Sequence, residues 1–174
     1  MFPEMLIAMN RFQQEMERVD DIALVLLKGH LLIEEGLKKV IDQYVFHREH
    51  LSEARLTFNQ KFLLARALCL RKNNFGEWEL ISAINSLRNI LAHNLQSPDR
   101  IKRLDKVKAI YFREADGFGR IEEIKKQKDS QILTIACGHC GGFLATFESD
   151  SKEFRKIVHA MDRQLNSDQP EFEL

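Results

Sequence analysis

Arg88 and His93 lie five residues apart in the run Ser86-Leu87-Arg88-Asn89-Ile90-Leu91-Ala92-His93. A guanidinium can neutralise charge on a phosphoryl oxygen, and an imidazole can take or give a proton near neutral pH. Between Leu80 and Pro98, Arg88 is the one formal charge. The chain as a whole is 30% Asp, Glu, Lys and Arg, so a stretch this long would ordinarily hold about six charges. Arg88 therefore either belongs to a buried network or is held ready for an anion.

Helical geometry sharpens the choice. At about 100° per residue, Leu80, Ile84, Leu87, Leu91 and Leu95 form an apolar seam, with Arg88 only about 40° from its centre. Its stem is therefore expected to be partly buried, and a buried guanidinium needs a carboxylate or a bound anion. Glu34 and Glu35 are the expected intramolecular supports. Ser82, Asn85, Ser86, Asn89 and His93 build a neutral hydrogen-bonding stripe almost opposite the seam, with Asn89 and His93 as i,i+4 neighbours. Arg88 and His93 are about 140° apart. They cooperate only if the arginine wraps around, if the helix unwinds, or if two copies of the helix meet across a two-fold axis.

The elements that position these residues read as helices. Glycine and proline are scarce, 8 and 3 in 174 residues, which disfavours a many-turned sheet. Apolar spacing predicts helices over 4–18, 21–46, 59–71 and 77–95. Ser97-Pro98 reads as a cap and first-turn proline opening a fifth helix to about Tyr111. Asp116-Gly117-Phe118-Gly119 breaks it, and the mixed-charge run 120–128 reads as a solvated face. Residues 130–148 fit a helix best, with a short β-hairpin near 131–147 as the alternative. Asp150 and Glu153 suggest a capping box for a separate last helix ending near Leu165. The expectation is one all-α bundle of six or seven helices over 1–166, followed by a flexible acidic tail, 167–174.

Lys plus Arg equals Asp plus Glu at 26 each, so no global basic field attracts nucleic acid; a nucleic-acid partner would need a local site. The opening residues lack a charged region followed by a hydrophobic signal core, and no apolar run approaches a membrane span. Three cysteines form no disulfide framework. A soluble protein in a reducing, bacterial-type cytosol is expected, with no membrane partner.

Arg88-Asn89-x-x-x-His93 inside a small helical protein resembles the signature of the HEPN domains, an arginine followed after four to six residues by histidine. Gly29-His30-Leu31-Leu32-Ile33-Glu34-Glu35 resembles the second helix of the bacterial branch that includes mannitol-operon-repressor-like proteins. Together these cover about residues 20–96. The resemblance implies a helical bundle, a homodimer with paired motifs, and metal-independent RNA cleavage by Arg88, Asn89 and His93, as in toxin or defence effectors, with an antitoxin or regulatory protein as possible partner. It also admits a non-catalytic regulator of the mannitol-repressor kind. Neither cofactor nor metal is implied.

The other reactive residues read as structural. Cys137-Gly-His-Cys140 is a single CxxC with too few ligands for zinc, and small residues there suit close helix packing. Cys69, His30 and His159 read as packing residues. His47 and His50, with Arg48, read as a solvated loop, and Phe75 and Trp78 as packing anchors.

Overall fold

Two glycines seven residues apart, Gly29 and Gly36, let two helices approach closely. The computed structural model describes residues 21–70, 73–93, 97–119 and 121–170. The expected helix over 4–18 and the end of the acidic tail lie outside the described residues. Among these, seven α-helices and no strand are found. They are α1 (Asp21–Asp42), α2 (Arg48–Glu53), α3 (Phe58–Ala67), α4 (Gly76–His93), α5 (Asp99–Glu114), α6 (Ile121–Ile124) and α7 (Asp129–Leu165). The all-α expectation holds.

Gly29 of α1 packs against Cys137 of α7, and Gly36 against Leu144. Farther along, the Ser151 hydroxyl lies 3.2 Å from the Tyr44 hydroxyl, and Arg155 donates to the carbonyls of Gln43 and Val45. Partner numbers rise together, so α1 and α7 run parallel. Leu133, Cys137, Cys140, Leu144, Phe147 and Ser151 are buried at alternating three- and four-residue steps, the seam of a coiled coil. That periodicity continues through Phe154, Val158, Met161 and Leu165, beyond the end of α1.

The remaining helices fold around this pair. Phe62, Trp78, Phe143 and Phe147 make edge-on aromatic contacts, and Trp78 is 1% exposed. α4 runs antiparallel to α1: Asn85 meets His30, while Trp78 reaches Phe143 and Phe147 farther along the parallel pair. α5 returns antiparallel to α4, with Arg103 on Ser86 and Arg113 on Glu79. α3 is started by a capping box, in which Thr57 accepts from the Gln60 N–H and Gln60 accepts from the Thr57 N–H.

Two expectations are corrected. Residues 129–165 form one helix, so the hairpin alternative fails and Asp150 caps nothing. The seam explains why: Phe147, Ser151 and Arg155 are buried in one continuous stripe against α1 and the chain that follows it, and a break at Asp150 would misalign them. The second helix ends at Asp42 rather than near residue 46. The chain there turns, and its carbonyls at Gln43 and Val45 are taken up by Arg155.

Candidate functional site

Arg88, Asn89 and His93 all fall on the second half of α4, whose buried side is Leu80, Ile84, Leu87 and Leu91. Arg88 is half-buried, whereas Asn89 and His93 are exposed. The Arg88 stem starts at the α1 edge of the helix, yet its Nη1 donates to Asn89 Oδ1 at 3.4 Å. The arginine therefore wraps outward to the ridge that Asn89 shares with His93, one turn on. Among the described residues its guanidinium makes no ion pair. His93 closes the described part of α4.

The expected carboxylate supports are engaged elsewhere. Glu34 pairs with Lys61 of α3 at 2.6 Å. Glu35 pairs with Lys39 at 2.7 Å, one turn along its own helix, and that bond lowers its pKa. The reason is geometric: Glu34 lies on the side of α1 that α3 covers, and Glu35 faces solvent.

Near Arg88 lies His30, a residue whose place in the sequence suggests packing alone. His30 is 5% exposed. Its ring stacks on Phe58 with centroids 4.1 Å apart, and Nε2 lies 3.0 Å from Asn85 Oδ1. With that oxygen as acceptor, the proton sits on Nε2. Burial depresses the His30 pKa and the nearby Arg88 charge adds to the effect, against opposing contributions from Asn85 and Glu34. A neutral imidazole thus lies near the guanidinium without adding a second positive charge. The signal in the sequence was the i,i+4 pair Asn85 and Asn89, which links a buried partner to an exposed one along a single ridge.

The polar stripe divides between two neighbours. Asn85 turns to α1, and Ser86 turns to α5, where it accepts from Arg103 Nη1. Ser82, Asn89 and His93 face outward. Chemically, the face can hold an anion at Arg88 and Asn89 and move a proton at His93.

The CxxC segment lies apart from this face. Cys137 and Cys140 are buried, with burial pushing the Cys137 thiol up to about 12 and Cys140 well above the usual range. Thiols of that kind are poor nucleophiles and poor metal ligands at neutral pH. His139 points elsewhere, 3.2 Å from Glu77 Oε1. In comparisons with protein-family models, curated proteins and solved structures, nothing matches this chain. The fold is an all-α bundle in which α1 meets α7 along a face that carries Gly29 and Gly36.

Proposed function

We propose that this protein is a metal-independent endoribonuclease of the HEPN type, acting as a homodimer with a composite site. The observation that carries the reading is the outward-wrapped Arg88, held by Asn89 on the ridge that ends in an exposed His93, with no carboxylate partner among the described residues. A purely structural arginine would be expected to end on a carboxylate or on backbone carbonyls, as Arg155 does.

The chemistry follows from the groups. His93 takes the proton of a ribose 2′-hydroxyl, and that oxygen attacks the adjacent phosphorus. Arg88 and Asn89 hold the phosphoryl oxygens as negative charge grows. The 5′-oxygen leaves as it receives a proton, which the partner subunit's His93 supplies. The products are a 2′,3′-cyclic phosphate and a 5′-hydroxyl. Support for pairing comes from Leu24, Leu27 and Leu31, exposed at i, i+3 and i+7 on α1, the part of α1 toward which α4 runs.

The test is cleavage of single-stranded and structured RNA in the presence of a chelator. Wild type is expected to produce cyclic phosphate ends, and Arg88→Ala or His93→Ala to lose about 10²-fold or more in rate. Undiminished cleavage by both variants would reject the site.

A non-catalytic interaction protein is the second reading, favoured by the exposed Phe154, Ile157, Met161 and Leu165 on the free end of α7. It gains if no RNA is cut at high protein concentration while a protein partner co-purifies.

A further inference from the structure

The first ten residues of α5 carry five cations, Arg100, Lys102, Arg103, Lys106 and Lys108, against Asp99 and Asp105. That is an excess of three in a chain whose net charge is zero. Lys108 takes up Asp105, together with Asp129. Lys102, Arg103 and Lys106 make no ion pair among the described residues. At about 100° per residue these three share one edge of α5, with Asp99 one turn ahead of Arg103. The edge borders the outer face of α4, because Arg103 Nη1 donates to Ser86 Oγ. Ser86 lies three residues before Asn89, hence about 4.5 Å along the same helix.

We infer that Lys102, Arg103 and Lys106 form a subsite for the phosphates that flank the scissile one, so that the protein binds a single-stranded RNA chain rather than an isolated phosphodiester. This rests on the nuclease reading for its choice of RNA. Two guanidiniums, Arg88 on Asn89 and Arg103 on Ser86, are each anchored by a neutral side chain and presented about one turn apart. A neutral anchor orients the group while leaving its charge for an incoming anion, which a carboxylate would not. The local excess also answers how a chain of zero net charge could hold a polyanion: attraction is confined to one helix edge. A DNA strand offers the same phosphates but lacks the 2′-hydroxyl that the reaction needs.

Binding is read by fluorescence anisotropy, using a labelled ten-nucleotide RNA, its DNA counterpart, and His93→Ala protein in chelator from 50 to 200 mM salt. Each cation that meets a phosphate contributes about −0.7 to the slope of log K against log salt for a single strand. Arg103→Gln is expected to weaken binding several-fold and flatten the slope by about 0.7, with Arg103→Lys restoring the slope. Lys102→Gln with Lys106→Gln flattens it further. Lys152→Gln, whose lysine pairs with Glu148 on α7, leaves it unchanged. RNA and DNA bind comparably, and only RNA is cut. In turnover, Arg103→Gln raises KM for the oligonucleotide with kcat retained. Circular dichroism checks the fold, and Ser86→Ala, which frees the guanidinium but keeps its charge, is the second variant should Arg103→Gln unfold; it weakens binding with the slope kept. An unchanged salt slope in Arg103→Gln and in the double lysine variant overturns the subsite, as does absence of RNA binding. If RNA is bound with an Arg103-dependent slope but never cut, the subsite stands and the nuclease reading falls.

Discussion

The seam between α1 and α7 and the outer face of α4 use helical spacing for opposite ends. Along the seam, Gly29 and Gly36 admit Cys137 and Leu144 so closely that no room remains for a Cβ without movement. On α4, Asn89 and Ser86 receive Arg88 and, from α5, Arg103, with no carboxylate against either charge among the described residues. One region spends its side chains on contact and leaves nothing over for chemistry. The other accepts weak internal bonding so that polar groups remain open to a ligand. Stability and reactivity are thereby separable, and mutation can show whether the division is real.

The sharpest break comes from His93→Ala, expected to reduce cleavage by about 10²–10⁴-fold with a melting temperature unchanged, as calorimetry would show, because His93 is exposed. The converse is Leu144→Ala. This side chain is 1% exposed, and its truncation should destabilise by about 2–5 kcal/mol in urea unfolding, with kcat intact at low temperature. Smaller is Gly29→Ala, an overpacking change of about 1–3 kcal/mol. Combining it with Cys137→Ala should recover part of the loss, since the Cys137 sulfur is the nearest obstacle.

His30 joins the two regions, and its effect is smallest. Its folded pKa lies below the unfolded value of 6.5 because burial, then Arg88, disfavour the charged ring. The unfolded chain therefore binds the proton first. Its contribution is full above about pH 6.5 and is lost as pH falls below that value toward the folded pKa. The difference in melting temperature between wild type and His30→Gln should shrink as pH is lowered from 7 to 5. A constant difference would mean that the ring is not held neutral.

Much of the architecture was legible in residue spacing. The charge-poor stretch around Arg88 marked α4, and Ser97-Pro98 marked the start of α5, where Ser97 Oγ accepts from the Asp99 N–H. Gly119 ends the turn after α5 with φ 74°, as the Asp116–Gly119 break suggested. The single helix over 129–165 was split in two because Asp150 and Glu153 satisfy a local capping pattern. Tertiary burial of Phe147, Ser151 and Arg155 overrides it. At the site, spacing placed Asn89 and His93 on one ridge and raised a wrapped arginine as one option. It could not find His30 on Asn85 or Arg103 on Ser86, because those contacts join residues 55 and 17 positions apart on different helices. Glu34 was assigned to Arg88 by its charge alone, although Lys61 lay closer once α3 was packed against α1.

The parallel pairing of α1 with α7 also has a consequence for biosynthesis. Gly29 and Cys137, which touch, are separated by more than half of the polypeptide. During translation the first of these helices must wait for the last to leave the ribosome before its glycine-lined flank is covered. Contacts so distant along the chain slow folding and lengthen exposure of sticky surface, so a nascent chain stalled before residue 137 should depend on chaperones far more than the finished protein does.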